Sequence, residues 1–112
     1  MARNLKPDYI NKVRAIPAPN GYKFDIANYL YNPSLDNEYP AFIKMTSETE
    51  DTQTFRRVYY FKYYDGTGEY MEEEFTRKKN GDAWQIVSGR HEKVLEKSNR
   101  FNINKLLTFC AA

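Results

Sequence analysis

Apolar and polar positions alternate most regularly between Thr54 and Val87, and this stretch also carries two glycine-containing turn signals. Three runs rich in aromatic and β-branched residues are separated by Asp-Gly-Thr-Gly at 65–68 and by Asn-Gly at 80–81. Such residues favour strands, and short glycine turns join antiparallel strands into hairpins. The pattern therefore predicts three consecutive antiparallel strands.

The Asn-Gly turn predicts the register of the second hairpin. Both central residues of a type I′ turn need positive φ, which asparagine and glycine tolerate. A two-residue loop at 80–81 therefore follows, and it brings the apolar side chains of Phe75 and Ile86 opposite each other. The predicted cross-strand pairs are Lys79 with Asp82, Arg77 with Trp84, and Phe75 with Ile86.

The first turn admits two loops. A two-residue loop at 66–67 would pair Lys62 with Met71, whereas a three-residue loop with Gly68 in the left-handed region would pair Lys62 with Glu72 and Tyr59 with Phe75. We favour the second, because it gathers apolar side chains on one face. That face would carry Tyr59, Phe61, Tyr63, Met71, Phe75, Trp84 and Ile86.

Outside the hairpins the patterns are shorter. Helical spacing between Pro7 and Ile16 predicts a helix that Pro17 ends. Strands are predicted at 22–26 and at 41–46, with an irregular segment at 27–35 between them. The second strand is followed by an exposed acidic connection at 47–53. Residues 91–98 either extend the last strand or form a helical turn. Residues 102–110 form a helix or a strand, and their length favours a closing helix.

These elements predict one α+β domain spanning residues 1–112. We expect a curved antiparallel β-sheet of about five strands with one or two short helices. The 41% hydrophobic and 16% aromatic content exclude a disordered chain. Cys110, the single cysteine, cannot form an intrachain disulfide and is predicted to be a buried structural thiol.

Charge and segment composition bear on partners and compartment. The net charge of +2 is too small to argue for nucleic acid, although residues 1–76 carry −3 and residues 77–112 carry +5. No apolar run approaches the ~20 residues of a membrane span, and the first residues lack the apolar core of a secretory signal. A cytoplasmic protein without membrane association is expected.

Few residues suggest chemistry. Three consecutive glutamates at 72–74 do not converge, because neighbours on a strand point to opposite faces. Glu73 alone would lie on the apolar face, so either a bulge redirects it or it is a half-buried carboxylate with a raised pKa. His91 is the only histidine and has charged neighbours, which predicts an exposed position. We expect no catalytic residue, no metal and no cofactor.

The strand at 55–64 interleaves basic and aromatic residues, and one face of it would show Arg56, Tyr60, Lys62 and Tyr64. This pattern is typical of surfaces that stack the bases of single-stranded nucleic acid. Glutamates of the partner strand on the same face would repel a polyanion. Tyrosine and arginine also anchor protein interfaces.

Residues 77–87, in which a glycine turn precedes a tryptophan and two aliphatic residues, resemble the last hairpin of NTF2-like cone-shaped domains. That resemblance implies a small-pocket enzyme or ligand binder, but the proline-rich N-terminal part does not supply the helices of those domains.

Three functions therefore stay open. We favour a non-enzymatic protein-interaction domain, such as an inhibitor or accessory protein of the kind that mobile elements encode, whose surface includes the aromatic-basic residues above together with Lys97 and Arg100. The alternatives are a single-stranded nucleic-acid or nucleotide binder using the strand at 55–64, and the NTF2-like pocket protein.

Overall fold

The computed structural model describes residues 7–19, 21–28, 38–63, 65–87 and 91–111. These residues form two helices and six strands, whose bounds are α1 Pro7–Ala15, β1 Lys23–Asn28, β2 Glu38–Glu48, β3 Thr52–Lys62, β4 Gly68–Asn80, β5 Ala83–Ile86, β6 His91–Lys97 and α2 Ile103–Ala111.

Both helices lie where the sequence predicts them. Proline at the first position of α1 loses no hydrogen bond, because the first amide groups of a helix have no partner inside it. Asn102 caps α2, since its Oδ1 accepts a 2.9 Å hydrogen bond from the backbone amide of Asn104. Local signals therefore place α1, whereas the cap of α2 is a contact that the structure adds.

The strands form a curled antiparallel sheet in the order β1-β2-β3-β4, and both β5 and β6 pair with the free edge of β4. Strand β5 pairs along Arg77–Asn80 and β6 along Glu69–Glu74, so the two run in the same direction, one after the other. Residues 91–97 thus extend the last strand, and the predicted α+β fold is confirmed.

The register of the β3–β4 hairpin differs from both predicted alternatives. Lys62 pairs with Gly68 and Tyr59 with Met71, which leaves a five-residue loop at 63–67. Gly66, not Gly68, has the positive φ, 91°. Asp65 stabilises the loop by accepting hydrogen bonds from the Thr67 amide (2.9 Å) and hydroxyl (2.6 Å).

Gly68 is instead a strand residue whose missing side chain makes room for Tyr60. A Cβ atom at this position would collide with the Tyr60 hydroxyl and lie 2.7 Å from the backbone oxygen of Ser98. The glycine therefore serves close packing rather than a turn, which explains why the predicted three-residue loop was wrong.

The second hairpin also differs. Asn80 pairs with Ala83, so the loop is Gly81 and Asp82, and Arg77 pairs with Ile86 rather than with Trp84. Gly81 has φ 67° at the first loop position, which is typical of a type II′ turn. The first hairpin differs by four residues from the favoured three-residue-loop register, and the second differs by two from its predicted register. Both shifts are even, so each side chain keeps the face that was predicted for it.

One face of the sheet, called here the helix face, packs against α1 and α2. The buried residues of this core are Val13, Tyr22, Phe42, Val58, Tyr60, Tyr70, Leu106 and Cys110. The two central tyrosines bury their rings but keep their hydroxyl groups bonded, because Tyr60 Oη donates to the Ser98 carbonyl at 2.7 Å and Tyr70 Oη accepts from the Asn102 amide at 2.7 Å.

The opposite face, called here the second face, has its own apolar cluster, where Tyr39 stacks on Phe61 with ring centroids 4.7 Å apart. Among the described residues, neither helix contributes to this cluster. Its members are Ala27, Tyr39, Ala41, Tyr59, Phe61 and Met71.

The remaining predictions concern the connections. Strands β2 and β3 are longer than predicted, so the expected acidic connection at 47–53 shrinks to a tight turn in which the Thr49 amide donates to the Thr52 carbonyl at 2.9 Å. Most of the irregular segment predicted at 27–35 lies outside the described residues. Neither of the described helices has the length and apolar character needed to cross a membrane.

Candidate functional site: an aromatic and basic groove on the second face

Six residues were predicted to bind a partner, and the five of them that the structure describes do not form one surface. Tyr60 is completely buried and the Arg56 side chain is only 16% exposed, because both lie on the helix face. The expectation that they present a ring and a cation to a ligand was therefore wrong. The single-stranded nucleic-acid alternative loses the two residues on which it mainly depended.

Arg56 instead holds α2 against the sheet. Its Nε donates to Glu72 at 2.6 Å, and its Nη1 donates to the Tyr22 hydroxyl at 2.6 Å and to the Phe109 carbonyl at 3.1 Å. That carbonyl belongs to the last turn of α2, where backbone oxygens lack partners within the helix. Burial disfavours the charge of Arg56, but the hydrogen bonds to Tyr22 and Glu72 outweigh it and raise its pKa.

Three other predicted partner-binding residues, Lys62, Lys97 and Arg100, lie at the end of the sheet near the β3–β4 loop. Lys62 is half-buried and donates to the backbone oxygens of Gly66 (2.7 Å) and Asn99 (2.9 Å). Lys97 and Arg100 are exposed nearby. Tyr64 lies outside the described residues. A partner-binding role for this end of the sheet stays a prediction.

Glu73 occupies the second face, as predicted, and no bulge interrupts the β3–β4 ladder at this position. Its side chain is fully buried rather than half-buried. Arg57 donates to Glu73 Oε2 at 2.7 Å and reaches Asp25 Oδ2 at 3.1 Å. Because Asp25 is on β1, this ion-pair network around the buried Glu73 links three strands and has the character of a structural element.

The two remaining residues with possible chemistry, His91 and Cys110, lie on different elements, β6 and α2. His91 is exposed at the start of β6, as predicted. Cys110 is buried in α2, as predicted, and burial raises the pKa of its thiol to about 11, against the lesser opposing effect of Arg56. Among the described residues, no three histidine, cysteine or acidic side chains are grouped so that they could hold a metal ion.

An open groove of about 430 Å³ lies on the second face, at the end of the sheet opposite to the β3–β4 loop. We call it the second-face groove. It is lined by residues of the strands β1 to β4 and by Gly21, which lies two positions before β1. The lining residues are Gly21, Lys23, Ile43, Met45, Gln53, Phe55 and Arg77.

Arg77 is the most constrained cation of the second-face groove. Its guanidinium carbon lies 4.9 Å from the ring centroid of Phe55 and 4.8 Å from that of Trp84. Its Nε donates to Gln53 Oε1 at 2.8 Å, and the amide of Gln53 in turn donates to Glu48 at 2.8 Å. The flanking rings hold the guanidinium in one orientation by cation–π attraction.

Partly exposed apolar side chains lie on the same face as this cation. Met45 is 43% exposed and Ile86 is 50% exposed, and both lie on the second face. Behind them Phe55 stacks on Phe75 with ring centroids 5.4 Å apart. The end of the second face thus combines exposed aliphatic groups, aromatic rings and a fixed positive charge.

Sequence reasoning missed the groove because its residues are far apart in the chain. Lys23 comes from β1, Met45 from β2 and Arg77 from β4. The one available signal was the predicted hairpin face that contains Trp84 and Ile86, but the sequence indicated burial there rather than exposure. Comparison of the chain with protein-family models, with curated proteins and with solved structures finds no match.

Proposed function

We propose that this chain is a non-enzymatic protein-interaction domain that binds its partner through the second-face groove and the adjoining Trp84 and Ile86. The observation that carries the proposal is the exposure of Met45 and Ile86 beside an arginine held between two aromatic rings. Methionine, arginine and aromatic residues are enriched at the centres of protein interfaces.

The position of the groove supports the same function. Both helices pack on the helix face, where Phe42, Tyr60 and Tyr70 are fully buried. At the groove end of the second face, by contrast, large apolar side chains expose about half of their surface. Exposed apolar side chains grouped on one surface of a small domain often mark an interaction site.

The test is affinity capture from an extract of the cells that produce the protein, with wild type and two matched variants as bait. Met45→Asp places a charge in the groove, and Val94→Asp places one on β6, at a side chain of nearly equal exposure, 42% against 43%. We expect one stoichiometric protein with wild type and with Val94→Asp, and its loss with Met45→Asp.

Two results would contradict the proposal. One is capture of the same protein by all three baits, which would place the interface elsewhere. The other is repeated recovery of no stoichiometric protein by wild type. Circular dichroism of each bait establishes that a loss of binding does not come from unfolding.

A further inference from the structure

The second-face groove contains two cations that no acidic side chain neutralises within the described part of the chain. Lys23 is exposed at the groove, and no carboxylate of the described residues lies within ion-pair distance of either Lys23 or Arg77. The nearest acidic group in the hydrogen-bond network, Glu48, is bound by the amide of Gln53 rather than by Arg77.

This arrangement differs from that of the other two arginines of the sheet. Arg56 is bound by Glu72, and Arg57 by Glu73 and Asp25. Arg77 has the same type of side chain but is held in place by rings and by a neutral amide. A guanidinium fixed in orientation with its terminal amino groups available is preorganised for a carboxylate, to which arginine can donate two parallel hydrogen bonds.

The apolar part of the groove lies next to this charge. Ile43, Met45 and Phe55 contribute to the lining between Lys23 and Arg77. A volume of about 430 Å³ falls in the range of pockets that take small ligands or single side chains, which is about 300–1,000 Å³. The site therefore complements an apolar side chain that adjoins a carboxylate.

We propose that the occupant of the second-face groove is an acidic peptide segment of the protein partner, in which a large apolar side chain adjoins a carboxylate. The apolar side chain packs on Met45 and Phe55, the carboxylate is bound by Arg77, and Lys23 adds positive charge on the β1 side of the groove. This inference rests on the proposed function and specifies the chemistry of the partner.

A nucleic acid fits the same end of the sheet less well. The rings of Phe55 and Trp84 each pack against Arg77, which leaves less of their faces for the stacking of bases. Acidic residues also occupy the adjoining turns, where Glu50, Asp51 and Asp82 are exposed. A single carboxylate tolerates these neighbours better than a polyanion does.

The test uses indole-3-acetate as a probe that joins an apolar ring to a carboxylate, titrated into isotope-labelled protein and followed by NMR. Its neutral amide, indole-3-acetamide, and the cationic tryptamine carry the same ring. We expect indole-3-acetate to shift the Met45 methyl and the Gln53 side-chain amide, with binding roughly fivefold tighter than that of the amide and of tryptamine.

Matched charge reversals assign the effect to the groove. Lys23→Glu should weaken indole-3-acetate roughly fivefold, whereas Lys78→Glu, which makes the same change of net charge on the helix-face side of β4, should leave it unchanged. Arg77→Lys should also weaken binding, because lysine lacks the planar fork of donors. The spectra themselves report whether each variant is folded.

The inference is overturned if the three indole compounds bind equally, if no groove resonance shifts at millimolar probe, or if Lys78→Glu weakens binding as much as Lys23→Glu does. It is also overturned if an oligothymidylate displaces the probe and binds more tightly, which would favour nucleic acid. Should these titrations fail while capture still depends on Met45, the proposed function stands and only the acidic peptide is rejected.

Discussion

The two faces of the sheet surround their charged and aromatic residues differently. On the helix face, Phe42, Tyr60 and Tyr70 are completely buried in the core with α1 and α2, and Arg56 joins the sheet to the last turn of α2. The second face changes along its length, from the buried cluster around Tyr59, through the ion pair of Arg57 and Glu73, to the partly exposed groove.

Two adjacent arginines on β3 illustrate the consequence of this difference. Arg56 and Arg57 are neighbours on β3 and therefore point to opposite faces. Arg56 connects α2 to the sheet, whereas Arg57 neutralises the fully buried Glu73 on the neighbouring strand. The same residue type, one position apart, takes different roles because the two faces have different coverings.

The largest effect is expected in the covered core of the helix face. Phe42→Ala should lower the free energy of unfolding by about 3–5 kcal/mol, because Phe42 is fully buried against the helices. Met45→Ala, three positions along the same strand but 43% exposed, should cost less than about 1 kcal/mol.

Urea denaturation followed by circular dichroism measures both variants. Equal losses for Phe42→Ala and Met45→Ala would break the comparison, since they would mean that the groove end of the second face is packed as tightly as the helix face.

A smaller effect is expected at the ion pair of the second face. Glu73→Gln leaves the charge of Arg57 in a buried position with Asp25 as its remaining described carboxylate, and it should cost about 3 kcal/mol. Glu92 is the cross-strand neighbour of Glu73 on β6 but is exposed, so Glu92→Gln should cost much less.

The same denaturation experiment compares the two glutamate variants. If Glu73→Gln is no more destabilising than Glu92→Gln, the buried ion pair does not stabilise the middle of the second face, and its role must be sought in binding instead.

The smallest effect concerns the helix face at alkaline pH. Burial raises the pKa of the Cys110 thiol from 9.0 to about 11. The unfolded thiol ionises first, so the stability that this group contributes is fully present below pH 9 and is lost as the pH rises through about 11. The free energy of unfolding of wild type should therefore fall towards that of Cys110→Ala across this window.

Denaturation of both proteins between pH 8 and pH 11 provides the measurement, in which the pKa of Tyr70, also raised by burial, affects both proteins alike. If the difference in the free energy of unfolding between wild type and Cys110→Ala stayed constant over this pH range, water would reach the thiol. The helix face would then be less completely buried than described above.

The sequence by itself determined the elements and the faces of this protein. Prolines mark both ends of α1, and alternation along 54–87 assigns each strand residue to a face, because both signals depend on neighbours in the chain. That is why the face of Glu73 was predicted even though its complete burial was not.

Only the tertiary structure decided the register, the burial of both faces and the place of the groove. The five-residue loop at 63–67 accompanies the packing of Tyr60 against Gly68, a contact between strands that no turn signal contains. Likewise, Tyr60 lies under a helix more than forty residues further along the chain, and the groove unites side chains from four strands. Local patterns specify which way a side chain points, whereas what it meets there depends on the whole fold.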